Sequence, residues 1–117
     1  MGKILLEGME FFSYHGCFQE ERIIGTKFVI NLIVELTTDK AEISDRLEDT
    51  LNYSAIYQIV KQEMEKKSYL IEHVARRIIT ALIHEFNQIG HIEIKISKLN
   101  PPMGGKMKQV SFISTWP

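Results

Sequence analysis

The stretch Ile92-Glu93-Ile94-Lys95-Ile96-Ser97-Lys98-Leu99-Asn100-Pro101-Pro102 contains the clearest strand of this chain and the point where that strand ends. Isoleucine at every second position is typical of a strand with one face against a core. The alternation places Lys98 on that face, where a lysine is rarely found without a partner or a role. The two prolines cannot donate to a strand ladder, so we expect pairing to end just after Lys98. We therefore predict a positioned proton carrier or, alternatively, a lysine whose charged end extends into water at the sheet margin.

Three more strands are predicted from apolar segments elsewhere in the chain. Residues 4–14 and 27–37 are rich in Ile, Leu, Val and Phe, and a glycine-containing loop separates them. This pattern predicts a hairpin with a long loop. Residues 91–98 and 109–116 predict a second hairpin, joined by a loop that contains the two prolines.

Two helices are predicted between the hairpins. Asn52 or Ser54 is suited to cap the first helix, which is expected to run to about residue 66. The second helix is expected from about residue 69 to residue 88. Its apolar stripe is wider than one sheet-facing side of a small domain requires.

The order strand-strand-helix-helix-strand-strand predicts one α+β domain spanning residues 1–117. In this domain both helices cover one face of a four-stranded antiparallel sheet. The strand at 27–37 is apolar on one face and only partly polar on the other, so its second face also needs a cover. Unpaired edge strands favour association with further strands. We therefore predict an obligate homo-oligomer with sheets joined edge to edge, an arrangement that could close a barrel.

Composition excludes several classes of protein. The 117 residues are 44% hydrophobic and 25% charged, which fits one ordinary globular domain. The net charge of -1 gives no general field that would gather nucleic acid or an anionic membrane. No apolar run is long enough to span a bilayer, and Glu7 follows the start too closely for a signal peptide. Cys17 is the only cysteine, which favours a reducing compartment, so we predict a cytoplasmic protein.

Side chains capable of chemistry gather in four places: His15–Arg22, Asn52–Ser54, Leu70–His73 and Lys98. Taken singly, Glu21 is typical of a solvated loop charge and Tyr53 of a core aromatic, and Glu72 suits the positive end of a helix. The four histidines lack the spacing of a zinc site, so we predict no metal. The chain also lacks a phosphate loop, a dinucleotide glycine fingerprint and a nucleophile elbow.

Together, these segments resemble the dihydroneopterin aldolase family from Ile4 to Trp116. The matching residues follow in chain order: Gly8-Met9, Tyr14-His15-Gly16, Glu21, Gly25, Asp49-Thr50-Leu51-Asn52-Tyr53, Leu70-Ile71-Glu72, Lys98 and Pro101-Pro102. Each match alone is weak, but their order and separations make the pattern specific. The resemblance implies the tunnelling fold, with strand and helix order β-β-α-α-β-β and subunits that form a ring. Two rings commonly stack into an octamer, and the choice between an octamer and a tetramer stays open.

The resemblance also implies a reaction, a step of folate biosynthesis. A lyase of this family cleaves 7,8-dihydroneopterin by retro-aldol chemistry into 6-hydroxymethyl-7,8-dihydropterin and glycolaldehyde. The conjugated C=N of the pterin ring accepts the electron density, so the implied reaction needs no Schiff base, no metal and no cofactor. The same groups would support epimerisation at the 2' carbon. The alternatives are a dihydroneopterin triphosphate 2'-epimerase, which Lys106 and Lys108 would suit, and a non-catalytic pterin-binding ring protein.

The family roles carry over to five residues of this chain by resemblance alone. Lys98 would take the hydroxyl proton of the substrate, through a bound water, and Glu21 would orient Lys98 and that water. Tyr53, contributed across a subunit boundary, would help to protonate the intermediate. Glu72 would bind the amino group and ring N–H of the pterin, within a binding segment that includes Ile71. Tyr53 and Glu21 are expected to contact the substrate as well.

Overall fold

One antiparallel sheet forms the centre of the molecule in a computed structural model that describes residues 1–117. Its strands lie in the order of the sequence: β1 (Gly2–Ser13), β2 (Thr26–Leu36), β3 (Ile89–Leu99) and β4 (Gln109–Trp116). Every neighbouring pair is antiparallel, so the two predicted hairpins are joined by the pairing of β2 with β3. The predicted four-stranded antiparallel sheet is therefore confirmed.

The two long helices lie where the sequence predicts them, with small differences at their ends. In chain order they are α3 (Tyr53–Glu65) and α4 (Ile71–Glu85), because two short helices precede them. Asn52 caps α3, since its side chain accepts the backbone N–H of Ser54 at 2.9 Å. The second helix ends at Glu85, three residues earlier than expected, because the chain turns there into β3.

Sequence patterns did not reveal the short helices. They are α1 (Gln19–Ile23) and α2 (Asp39–Ser44), and one turn of 3-10 helix follows at Leu47–Asp49. Segments of three to six residues are too short for a helical period of apolar residues to emerge. The first of them, α1, carries Glu21, one of the residues predicted for the site.

The core lies between the long helices and one face of the sheet. The strands contribute alternate side chains that are almost fully buried: Phe28, Ile30, Leu32, Val34, Leu36, Ile92, Ile94 and Ile96. The helices contribute Ile56, Val60, Met64, Val74, Ile78 and Leu82. Each fully buried aliphatic side chain contributes about 1.5–3 kcal/mol, so this interleaved layer is the main source of stability.

The opposite face and the edges of the sheet are open in a single chain. Leu5 on β1 and Ile113 on β4 are exposed, and β1 and β4 are the two edge strands. An open face and two unpaired edges favour association with further strands. No helix combines the length and the apolar character needed to cross a membrane.

The end of α3 and the start of α4 lie at one end of the sheet. At this end Ser13 pairs with Thr26, and Phe28 pairs with Lys98. The connection between α3 and α4, residues 66–70, also lies here, because the hydroxyl of Ser13 donates to the carbonyl of Met64 at 3.1 Å. The fold thus gathers the end of β3, the loop after β1 and the start of α4.

Candidate active site

A buried ion pair between Glu21 and Lys98 is the centre of the candidate site. Nζ of Lys98 donates to Oε2 of Glu21 at 2.7 Å, and the side chains are only 14% and 5% exposed for Lys98 and Glu21 respectively. Removing two charges from water is costly, and close pairing offsets that cost. Lys98 therefore does not extend into solvent, and the predicted alternative of a lysine at the sheet margin is wrong.

Local structure explains why the lysine stands at this point. Lys98 continues the buried row of isoleucines on β3, and its strand stops one residue later. Asn100 then adopts a positive φ of 49°, and its N–H donates to the carbonyl of Lys108 at 3.0 Å. The turn that the two prolines predicted thus fixes the strand end and the lysine on it.

The loop after β1 is shaped around Glu21. The backbone N–H of Phe18 donates to Oε1 of Glu21 at 3.4 Å, which ties the carboxylate to the start of α1. Gly16 has a φ of 152°, and a Cβ at this position would collide with the Glu21 carboxylate. The glycine of the Tyr14-His15-Gly16 motif therefore leaves room for the acid that pairs with the lysine.

His15 is a buried neutral base next to this pair. Its side chain is almost inaccessible to solvent, and Nδ1 accepts the backbone N–H of Ser68 at 3.1 Å. The ring packs edge-on against Phe28 with centroids 5.3 Å apart. Burial lowers the pKa of the imidazole from 6.5 to about 4, and the positive charges of Arg77 and Lys98 act in the same direction. His15 is therefore uncharged near neutral pH, with its proton on Nε2.

This lowered pKa predicts how stability depends on pH. The unfolded chain binds a proton to His15 below about pH 6.5, whereas the folded chain resists it until about pH 4. The contribution of His15 to the free energy of unfolding is therefore complete above pH 6.5 and is lost as the pH falls from there to about 4. The free energy of unfolding, measured with urea, should therefore fall less between about pH 7 and pH 5 for His15→Leu than for the native chain. The exposed His84 supplies the control, since His84→Leu should lose as much as the native chain; equal losses for His15→Leu and the native chain would contradict the assignment.

Glu72 and Ile71 open helix α4 at the same end of the sheet. Ile71 is half-buried, and Glu72 is exposed in the first turn, with no hydrogen bond or ion pair to the rest of the chain. The first N–H groups of a helix also lack partners within the helix. Together, a free carboxylate and free backbone donors can hold a flat ligand that presents both donors and acceptors.

Tyr53 is not part of this cluster within one chain. It is 67% exposed at the first position of α3, while the far end of α3 leads into the connection that contacts His15. Thirteen residues of helix separate the two ends by about 18 Å. The structure therefore brings Glu21, Lys98, Ile71 and Glu72 to one end and leaves Tyr53 at the other end of α3.

Open cavities near this end do not enclose the cluster. One of about 450 Å³ lies within the loop between Asn100 and Lys108. Another, of about 400 Å³, is lined by Lys67, Ser68, Tyr69, Leu70 and His73. Neither has Glu21, Glu72 or Lys98 in its wall. Ligand sites normally bury most of the ligand surface, and these two open cavities do not do so around Glu21, Glu72 and Lys98. No three His, Cys, Asp or Glu side chains come together in a group that could hold a metal ion.

Sequence reasoning missed two residues that organise this end. Arg77 of α4 donates to the carbonyls of Glu63 and Lys66 and to Oε1 of Glu63, each at 2.8 Å, and so closes the last turn of α3. Ser68 contacts both Arg77 and His15. A basic residue can satisfy the last carbonyls of a helix, but this arginine comes from the neighbouring helix, and no local spacing signals that pairing.

Comparisons of sequence and of structure with known proteins point to the same family. The family model for dihydroneopterin aldolase (FolB) matches residues 4–115. The dihydroneopterin aldolase of Streptococcus pyogenes is 40% identical over 111 residues, which are 94% of this chain and 93% of that one. The enzyme of the same name from Bacillus subtilis is 38% identical over 112 residues, 95% and 93% of the two chains. A crystal structure of E. coli dihydroneopterin aldolase in complex with neopterin superposes with a TM-score of 0.91 at 25% identity and covers 100% of both chains.

Proposed function

The chain belongs to the dihydroneopterin aldolase family, and we propose on this premise that it is the lyase that cleaves 7,8-dihydroneopterin in folate biosynthesis. The products are 6-hydroxymethyl-7,8-dihydropterin and glycolaldehyde. The observation that carries the proposal in this chain is the 2.7 Å contact between Lys98 and Glu21. This contact holds Lys98, the proposed proton carrier, at the end of a strand. The lone cysteine fits a reducing compartment, and we place the reaction in the cytoplasm.

The reaction requires one proton to leave an oxygen and one to reach a carbon. Removal of the proton from the 2' hydroxyl turns that C–O bond into a carbonyl and breaks the bond between the 2' carbon and the carbon attached to the ring. The electron pair enters the conjugated C=N of the pterin, and a proton then adds to the carbon attached to the ring. In our proposal Lys98 accepts the first proton in its amine form and supplies the second in its ammonium form. Glu21 holds Lys98 in place and contacts the substrate.

Glu72 and Ile71 serve recognition in this proposal. A carboxylate with two acceptor oxygens matches the amino group and the ring N–H of a pterin, which lie side by side like the edge of a guanidine. Glu72 is exposed and unpaired at the end of the sheet where Lys98 lies, so it is free to make this contact. Ile71, half-buried beside it, would supply part of the wall of the pocket.

A second subunit completes the site in our proposal. Tyr53 lies a helix length away from its own 66–70 connection, so a neighbouring chain has to bring its Tyr53 to this Lys98. The open apolar face and the two free edge strands suit subunits that join edge to edge into a ring. We propose a ring of subunits that closes a barrel, with two rings stacked into an octamer. The same groups would allow epimerisation when the products recombine on the other face.

A turnover assay with 7,8-dihydroneopterin tests the proposed function. The native chain, treated with a chelator, should release glycolaldehyde and 6-hydroxymethyl-7,8-dihydropterin in equal amounts, because the ring itself accepts the electrons. Chelation should leave the rate unchanged. Failure of a folded native oligomer to cleave this substrate would refute the aldolase assignment. Conversion of dihydroneopterin triphosphate to its 2' epimer without cleavage would favour the epimerase instead.

A further inference from the structure

Ser68 contacts the loop that carries Glu21 through both of its backbone groups. Its N–H donates to Nδ1 of His15 at 3.1 Å, and its carbonyl accepts the N–H of Gly16 at 3.0 Å. His15 and Gly16 belong to the loop after β1, which is packed around the Glu21 carboxylate. The 66–70 connection is therefore held directly to the part of the chain that forms the ion pair with Lys98.

Ser68 also contacts helix α4 through its hydroxyl. Oγ of Ser68 accepts from Arg77 at 2.9 Å and lies 2.8 Å from Nδ1 of His73. Both partners are on α4, and His73 directly follows Glu72. One half-buried serine thus links the proton-carrying half of the site to the helix that presents the carboxylate for recognition.

Further contacts between the loop and the connection lie around this serine. Nζ of Lys67 donates to the carbonyl of Arg22 at 3.3 Å. The guanidinium of Arg22 lies 4.6 Å from the ring centroid of Tyr69. These contacts are at the surface, so each contributes little by itself. The bonds of Ser68 to His15 and Gly16 are shielded from water and directional, and of these two only the His15 bond depends on a side chain.

We propose that His15 is a positioning residue: by accepting the Ser68 N–H as a neutral imidazole, it fixes the distance between the Glu21–Lys98 pair and Glu72. This inference rests on the proposed function, because the distance matters only if one substrate contacts both Glu72 and Lys98. The pterin is gripped at Glu72 and reacts at Lys98, so the distance decides whether the reacting hydroxyl reaches the proton carrier. A displacement of about 1 Å can lower a rate by roughly 10²-fold.

Only the neutral form of His15 can hold this contact. A protonated imidazole has N–H groups at both ring nitrogens, so Nδ1 would then face the Ser68 donor with a donor of its own. The positive charges of Arg77 and Lys98 oppose a proton on the ring, whereas the nearby carbonyl of Met64 favours it. Burial is the largest effect, and together with the two charges it outweighs the Met64 carbonyl and keeps the ring neutral.

A matched pair of variants isolates the acceptor. Asparagine places an amide oxygen near the position of Nδ1, and leucine has almost the same shape without an acceptor. The two substitutions, His15→Asn and His15→Leu, leave similar space in the core. Leucine leaves the Ser68 N–H without an acceptor, whereas asparagine satisfies it but buries further amide groups, so the stability of both variants is measured with urea and kcat is compared where both are fully folded. Under those conditions, a purely structural role would give the two variants equal kcat.

The expected result is a lower kcat for the variant that lacks an acceptor. His15→Leu should lower kcat by about 10- to 100-fold, whereas His15→Asn should recover most of that loss. The Kd for the product 6-hydroxymethyl-7,8-dihydropterin should stay within about threefold in both, because the Glu72 contact is intact. Equal kcat values for the two variants would overturn the inference. An equal loss of product affinity and kcat in His15→Leu would also overturn it, because that pattern reports general loosening.

Two further readouts keep the test decisive. If neither His15 variant assembles, Ser68→Ala removes the hydroxyl contacts to α4 and keeps the backbone contacts to the loop. A reduced kcat with unchanged product affinity would then support positioning through Ser68, and an unchanged kcat would refute it. The native chain in the same assay separates the two proposals. If the native chain does not cleave dihydroneopterin, the function fails; if it does and asparagine equals leucine, only the inference on His15 fails.

Discussion

Replacing Lys98 with arginine or alanine is expected to lower kcat by about 10³-fold, while the Kd for 6-hydroxymethyl-7,8-dihydropterin stays within a few-fold. Arginine keeps a positive charge that can pair with Glu21, but it cannot give up its proton at working pH. If Lys98 carries protons, both variants lose turnover. If Lys98 only supplies charge to the buried Glu21 carboxylate, arginine retains it. Turnover of 7,8-dihydroneopterin by Lys98→Arg therefore decides between the two roles.

Stability separates the two variants as well. Lys98→Ala leaves the Glu21 carboxylate buried without its partner, which costs about 3–5 kcal/mol when a buried pair is broken. Lys98→Arg should lose much less, so its lost activity is not a consequence of unfolding. Lys95 on the same strand points to the other face and makes no ion pair, so Lys95→Ala is the control and should retain native kcat. If Lys98→Arg kept more than about one tenth of native kcat, proton transfer by Lys98 would be ruled out.

Sequence patterns predicted those parts of the fold that depend on local periodicity. The alternation in β3 predicted both the strand and the buried orientation of Lys98, and the structure has Ile92, Ile94 and Ile96 fully buried in that row. The cap at Asn52 is likewise a short-range signal that the structure confirms. Such signals work because the repeat of an element and the identity of its cap are properties of neighbouring residues.

The contacts that hold the candidate site together join residues that are far apart in the sequence, so local patterns do not predict them. Glu21 and Lys98 are 77 positions apart, and His15 and Ser68 are 53 apart, so only the completed fold brings them together. The family resemblance implied the first pairing but was silent about the second. Helix α1, which carries Glu21, has five residues and therefore no readable period. Tertiary geometry, rather than propensity, determines these arrangements.

Mixing two inactive variants is expected to restore activity if Tyr53 acts on a neighbouring Lys98. Tyr53→Phe removes the hydroxyl that assists protonation, and we expect a loss in kcat of about 10²-fold. Lys98→Ala removes the proton carrier. When equal amounts of the two variants are dissociated and reassembled together, about a quarter of the sites between neighbours receive an intact Tyr53 and an intact Lys98. The mixture should then recover roughly a quarter of native kcat per site, far above either parent.

The control for this mixing experiment comes from the geometry of the single chain. Glu21 and Lys98 contact each other within one subunit, so mixing Glu21→Gln with Lys98→Ala leaves every site with at least one defect. That mixture should stay as inactive as its parents, whereas the mixture with Tyr53→Phe should recover. If neither mixture recovered although mass spectrometry showed mixed oligomers, Tyr53 and Lys98 would not share a site across a boundary. The exposed position of Tyr53, a helix length from its own 66–70 connection, would then need another explanation.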